Sequence, residues 1–251
     1  MFLCNILWSK LLVHKFRPEV LILQEIKSSA PYLSVVRDIW GHRTVSFEGV
    51  DALGVSGGLW ILWDPLLFHC FDVGKRHRIL GIFFKGPGGG FKWGIVNVYG
   101  PVVHSFKEGF LSDLGDMLLS YDVPICFSCD FNFIRWLDEM SSNPLINSLM
   151  RMFNSFIERF QLFDLPVTGT KFTWSNCCAH NLIISKLDHF LVTQDWMEAF
   201  LLVTVKALPR LSSDHTPRLL NTTFSISGKN PFHLELCWLD EPGIVDLIKS
   251  T

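Results

Sequence analysis

A chain of 251 residues with a formal charge of -2, 49% hydrophobic and only 18% charged, has the profile of a globular protein with a sizeable core. The composition excludes disorder and low complexity, and a chain this long buries roughly 70–75% of its unfolded surface without disulfide staples. The near-neutral charge excludes a globally basic nucleic-acid coat but not a local basic face.

In chain order, residues 10–16 read as part of a helix ahead of Pro18, and 20–23 as a buried strand. Runs 59–63, 66–73, 79–84 and 91–99 read as successive strands. The glycine clusters at 54–58 and 86–90 read as turns: the first precedes a strand rather than a helix, and the second lacks a Gly-Lys-Ser/Thr ending. Ser105-Phe106-Lys107-Glu108 spells a capping box, opening a helix with Phe106, Phe110, Leu114 and Met117 on one face. Residues 124–127 form another short apolar strand. Leu145, Leu149, Phe153, Phe156 and Phe160 recur at helical spacing, and 185–192 and 202–208 close the series as strands. Many strands with a few helices predict an α+β fold, helices packed outside two sheets. One domain is expected over 1–228, followed by a loosely attached tail over 229–251.

No stretch reaches the roughly 20 apolar residues of a spanning helix; 93–106, free of Asp, Glu, Lys and Arg, is broken by Gly94, Asn97, Gly100 and Pro101. The N-terminus has no basic region and no small-residue cleavage site, so an intracellular, non-secreted protein is expected, with its seven cysteines reduced. Cys126 and Cys129 form a C-x-x-C, but no second pair exists, and the apolar run before them favours two buried cysteines over a zinc or redox site. Lys75 to Arg78 is the densest basic cluster; a solvated hairpin end is the simpler reading, contact with a nucleic-acid backbone the other.

Chemistry concentrates where polar residues end apolar runs, since strands deliver such residues to a sheet edge where a cleft collects them. Five segments do this: Gln24-Glu25 after a strand, Asn97-Val98-Tyr99-Gly100-Pro101, Asp130-Phe131-Asn132, Ser185-Lys186-Leu187-Asp188, and Ser213-Asp214-His215. Singly each is a common turn, cap or strand end. Together and in this order they resemble the signature of the endonuclease/exonuclease/phosphatase superfamily, over residues 17 to 220. Further stretches, at 56–63, 172–176, 185–192 and 206–210, are similar to the endonuclease domain of plant LINE-type non-LTR retrotransposons, in which this domain precedes a reverse transcriptase. The tail at 231–243 resembles the linker between the two.

The resemblance implies a four-layer αββα sandwich and a DNA-nicking phosphodiester hydrolase dependent on Mg²⁺ or Mn²⁺, with DNA as partner, no small-molecule cofactor and a monomeric state. It implies Glu25 as a metal ligand, Asp214 as a further member of the metal shell, and Tyr99 as a phosphate contact. Asp130 and Asn132 position or activate the attacking water, and Asp188 orients His215, which hydrogen-bonds the phosphate or acts as base. His189 is expected to face away from the site. A hard carboxylate oxygen suits a hard cation that keeps several waters.

Three departures stand out. The family opens with a strand carrying Trp-Asn, whose Asn helps bind metal; too few residues separate Asn5 from Glu25 for that strand, loop and helix, so the first strand is expected to be lacking. Ser128-Cys129 replaces a Gly-Gly, and Arg218 stands where an apolar strand usually begins. A catalytically inactive retroelement remnant and a phosphoesterase acting on a small phosphoester are therefore alternative readings.

Overall fold

The computed structural model describes residues 6–26, 33–41, 43–53, 56–86, 90–142, 147–210 and 213–224. Asn5 and the tail 229–251 lie outside them. In chain order the elements are α1 (Ile6–Phe16), β1 (Val20–Gln24), α2 (Leu33–Trp40), β2 (Ser46–Leu53), β3 (Ser56–Trp63), β4 (His69–Arg76), β5 (Ile79–Lys85) and β6 (Lys92–Tyr99). There follow α3 (Lys107–Ser120), β7 (Ile125–Asp130), α4 (Asn147–Arg159), β8 (Phe163–Asp164), β9 (Val167–Thr168), β10 (Trp174–Ser175) and β11 (Ile184–Ser185). β12 (Asp188–Val192), α5 (Gln194–Ala199), β13 (Phe200–Ala207) and β14 (Arg218–Phe224) complete the series.

The strands that are apolar at nearly every position are those buried on both faces. In β5, Leu80, Ile82 and Phe84 face one apolar cluster while Ile79 and Phe83 face another. In β3, Leu59, Ile61 and Trp63 join the same cluster as Leu80, whereas Trp60 and Leu62 point into a third. Three clusters between layers give a four-layer sandwich. A mixed six-stranded sheet, ordered β4-β5-β6-β7-β12-β8, lies between α3 and α4 on one face and two three-stranded sheets on the other. Those smaller sheets are ordered β1-β3-β2 and β14-β13-β9, and α1 and α2 cover the first from outside. No strand among the described residues lies between β1 and β14, whose outer edges both border one cavity. No described helix is long and apolar enough to cross a membrane.

Several local expectations are corrected. The strand read at 66–73 begins at His69, because the Asp64 side chain accepts from the Leu66 N–H (2.9 Å) and its carbonyl from the Leu67 and Phe68 N–H groups. That Asx-type turn leaves Leu66 exposed. The capping box does not form: a single 3₁₀ turn over His104–Phe106 precedes α3, backbone bonds to Val103 and His104 satisfy the first donors, and Phe106 is exposed. The strand read at 185–192 is two pieces, broken where Lys186 N–H donates to the Glu139 carbonyl and Leu187 N–H to Thr173 Oγ1. The helix α2, the first turn of α1 and the strand β2 were not among the expected elements.

His189 points away from the end of the sheet that carries Asp188, into the α3–α4 side. Its Nδ1 lies 3.0 Å from Asp164 Oδ2 and its Nε2 3.2 Å from the Phe133 carbonyl. Asp164 also receives Lys186 (2.8 Å) and Arg135 (3.3 Å). Burial would raise the Asp164 pKa, but His189 and Lys186 hold it well below the usual carboxylate range. A depressed folded pKa gives stability that is present above the unfolded value of about 4 and lost as pH falls below it. Asp164→Asn is therefore expected to cost about 3 kcal/mol at pH 7, by analogy with other broken buried pairs. The difference from wild type should shrink steadily below pH 4 in urea titrations, and a constant difference would contradict the ion-pair account.

Candidate active site

β6 and β7 are parallel, β7 and β12 antiparallel, and their register sets Tyr99 beside Asp130 and Asp130 beside Asp188. Three residues from three distant motifs thus form a row across one end of the six-stranded sheet. Gly100 follows immediately; its N–H donates to the Asp130 carbonyl at 2.7 Å, and a Cβ there would stand 1.8 Å from the Phe131 carbonyl oxygen. Only glycine permits that approach. Gly100→Ala is expected to push the 130–132 turn out of place and, at a displacement near 1 Å, lower activity by about 10²-fold. Activity assays paired with far-UV circular dichroism would check that the fold survives.

The turn itself is tightly bonded. Asn132 takes a left-handed conformation (φ 54°). Its N–H donates to Asp130 Oδ1 (2.8 Å), and its Nδ2 donates to Asp130 Oδ2 (3.0 Å) and to the Gly100 carbonyl (2.8 Å). Beneath it, Lys107 is buried, donates to the Asn132 carbonyl and lies 4.0 Å from the Phe133 ring centroid. Burial lowers the Lys107 pKa to about 8 against the opposing pull of Asp130.

His215 reaches this row through Asp188. Its Nδ1 is 2.8 Å from Asp188 Oδ2, and its Nε2 3.8 Å from Asp130 Oδ2. Asp188 Oδ1 accepts from Arg218 Nη2 at 3.0 Å, and the Asp188 N–H donates to Thr173 Oγ1 at 3.1 Å. Burial alone would lower the His215 pKa, but the adjacent Asp188 carboxylate, helped by Asp130, raises it to about 9. Burial would raise Asp188, yet His215 and Arg218 hold it well below the usual range. Asp130 goes the other way: burial, with Asp188 and Glu25 adding to it, lifts its pKa to about 7 against the pull of His215.

Glu25 follows β1 with φ 51° and joins the row through Tyr99, whose hydroxyl donates to the Glu25 carboxylate. Burial and that bond push the Tyr99 phenol above its ordinary pKa. The backbone next to Glu25 is held by the neighbouring strand of its own sheet, with the Ile26 N–H donating to the Gly58 carbonyl of β3 at 3.3 Å. Gln24 Nε2 donates to Asn97 Oδ1 (3.0 Å) and to the Val98 carbonyl, and Asn97 Nδ2 to the Leu23 carbonyl (2.9 Å). Asp214 lies near His215, but its Oδ2 accepts from Trp174 Nε1 at 3.2 Å. The structure thus brings Glu25, Tyr99, Asp130, Asn132, Asp188 and His215 together and turns one Asp214 oxygen towards Trp174.

Among the described residues no group of three or more His, Cys, Asp or Glu side chains is set to cage a metal. Glu25 and the nearby Asp130 offer only oxygen atoms, a donor set that fits a Mg²⁺ retaining most of its waters.

Arg218, Lys107, Thr173 and Arg78 escaped sequence reasoning as site residues. Arg78, in the basic cluster, lies 5.5 Å from the Tyr99 ring centroid, while Lys75 in the same cluster pairs with Glu48 at 2.6 Å. Arg218 had one signal, a charge where an apolar strand was expected. Cys126 is buried in the apolar cluster under β3, as its context suggested.

No family model matches the chain, and no curated protein matches it in sequence. Solved structures do match in shape. The AP endonuclease LMAP of Leishmania major superposes with TM-score 0.66 at 16% identity, covering 86% of this chain and 81% of that one. The 3′ phosphatase NExo of Neisseria, bound to a product DNA hairpin, gives 0.65 at 18% identity, covering 89% and 95%. The endonuclease domain of TRAS1, a telomere-specific non-LTR retrotransposon, gives 0.63 at 14% identity, covering 85% and 90%. The fold is DNase I-like. At these identities the likeness concerns architecture, and the chemistry of this chain is argued from its own side chains.

Proposed function

We propose that this chain is a phosphodiester hydrolase that nicks DNA with the help of Mg²⁺ or Mn²⁺, a retrotransposon-type endonuclease domain of LINE descent. The observation that carries this reading is the row Tyr99–Asp130–Asp188 with His215 hydrogen-bonded to its end. Hydrolysing a phosphodiester requires an activated water, charge stabilisation at the phosphorus and help for the leaving oxygen.

Each need has a candidate. Asp130, with a pKa near 7, is the carboxylate suited to take a proton from water at neutral pH. His215, held as imidazolium by Asp188, presents Nε2–H towards the space beside Asp130, where a phosphate oxygen would accept it. The Asn132 side chain fixes the Asp130 carboxylate in that orientation. Tyr99 and Arg78 flank the same end and would contact the phosphate. Glu25 would hold the cation, which supplies Lewis-acid stabilisation of the phosphate charge when bound. His215 and Asp188 form an orienter-and-histidine pair like that of other hydrolases.

A second reading follows from the edges of β1 and β14, which no strand of the described residues pairs: a copy of the domain whose chemistry is weakened beside Glu25. The test is nicking of supercoiled plasmid by the purified chain. Mg²⁺ or Mn²⁺ should be required and EDTA should stop the reaction, since Glu25 can act on phosphate only through a cation. Nicking undiminished by chelation would sink the metal-dependent assignment. Phosphate release from a 3′-phosphorylated oligonucleotide, without nicking, would move the chain to the phosphatase reading. A folded, monodisperse chain that does neither would support the inactive remnant.

A further inference from the structure

Lysine is among the side chains least often buried, because taking an ammonium out of water costs more than one hydrogen bond returns. Lys107, the first residue of α3, is only 3% exposed. Among the described residues no carboxylate lies within ion-pair distance of its Nζ, which donates to the Asn132 carbonyl and rests 4.0 Å from the Phe133 ring centroid. Phe133 belongs to the apolar cluster between the six-stranded sheet and the α3–α4 layer. An uncharged side chain of the same length would suit those neighbours better, so the ammonium answers to Asn132.

The segment between β6 and α3 grips Asn132 at two points. At its start the Gly100 carbonyl accepts from Asn132 Nδ2 (2.8 Å), and at its end Lys107 Nζ reaches the Asn132 main-chain carbonyl. With φ 54°, Asn132 has a left-handed backbone that a non-glycine residue keeps only where its surroundings impose it. Its N–H donates to Asp130 Oδ1 (2.8 Å) and its Nδ2 to Asp130 Oδ2 (3.0 Å), so one residue orients both oxygens of that carboxylate. A change of φ at Asn132 turns its side chain relative to its own N–H, and the two bonds to Asp130 can then no longer be made together.

We propose that Lys107 is a positioning residue of the site: by holding the Asn132 carbonyl it keeps the 130–132 turn in its left-handed form and so fixes the Asp130 carboxylate. Its effect on turnover rests on the hydrolase reading; its effect on the turn does not. Because Lys107 acts through Asn132 and not on the DNA, its loss should be felt in the rate and not in substrate binding.

Lys107→Met in the full-length chain, which keeps the length and apolar contacts but loses the donor, tests both effects. In hydrogen exchange followed by NMR, the Asn132 amide should exchange about 10-fold or more faster than in the wild type, with the Phe127 amide in β7 unchanged. The single-turnover nicking rate at saturating plasmid with Mg²⁺ should fall about 10²-fold, while the plasmid concentration giving half that rate moves less than about 3-fold. Lys107→Arg, which keeps a charged donor, should bring the exchange and the rate back to within about 10-fold of the wild type. Lys107→Leu takes the place of Lys107→Met if the latter does not fold, with the same results expected. An unchanged Asn132 amide would overturn the proposal, as would a rise shared by Phe127, which would mean a general loss of stability. Full turnover in Lys107→Met, or a loss confined to plasmid affinity, would overturn it too. A wild-type chain that nicks nothing would remove the hydrolase reading, while the exchange measurement still decides the role of Lys107 in the turn.

Discussion

His215→Ala is expected to lower metal-dependent nicking by about 10²–10⁴-fold, the range for a positioned proton-transfer group. The imidazole is held at Nδ1 by Asp188 at 2.8 Å, and its pKa of about 9 keeps Nε2–H available as a donor at neutral pH. Removing the ring takes away that donor and leaves Asp130 and Asp188 facing each other across the space it filled. Single-turnover rates on plasmid are the measurement, since they separate the chemical step from product release. The wild-type rate should also decline as pH rises through about 9 and His215 loses its proton. A variant that retains wild-type rates would remove His215 from the mechanism altogether.

Asp188→Ala should be the most destabilising single change at the site. Asp188 is buried, and it is the carboxylate that joins His215 to Arg218. The Arg218 side chain is itself buried and has no second carboxylate within ion-pair distance among the described residues. Breaking a buried pair by deleting one partner strands the other charge, at a cost of about 3–5 kcal/mol. The loss should appear as a lower urea midpoint at unchanged slope. Asp188→Ala combined with Arg218→Met should recover part of it, because the stranded cation is then gone. If the double variant is no more stable than Asp188→Ala, the coupling between the two residues is absent. Activity should not return in the double variant, since His215 still lacks its orienter.

The site was more legible in the sequence than the elements that carry it. Gln-Glu, Asn-Val-Tyr, Asp-Phe-Asn and Ser-Asp-His are each common as turns, caps or strand ends, and they group only because together, in this order, they resemble the signature of a known superfamily. What groups them in space is strand register, and Tyr99, Asp130 and Asp188 share a row only because β6, β7 and β12 are neighbours. Lys107 gave no signal. It sits in a helix start, where a lysine is ordinarily solvated, and its burial under the Asn132 turn is a tertiary event. Arg218 was visible as an anomaly but not as a partner, because its use depends on Asp188, 30 residues away in sequence. The capping box failed for a local reason. Backbone donors already bonded in a 3₁₀ turn do not need a serine. The break at Lys186 and Leu187 was hidden because an apolar-rich run looks continuous until a loop such as 137–141 competes for its N–H groups.

The row of Tyr99, Asp130 and Asp188 has a kinetic meaning as well as a chemical one. These groups are spaced by the hydrogen-bonded ladder, with neighbouring strands roughly 4.8 Å apart, so their separation is as stiff as the sheet. A slip of one residue between β7 and β12 would turn Asp188 to the far side of the sheet and bring His189 to the near one, replacing a carboxylate by an imidazole. No gradual loosening connects the two arrangements. A population of this protein should therefore contain molecules that are fully competent and molecules that are inert, with few in between. A titration of active sites would then report the fraction of chains that zipped the central sheet in register, and heating or denaturant should change the number of working molecules before it changes the rate of each one.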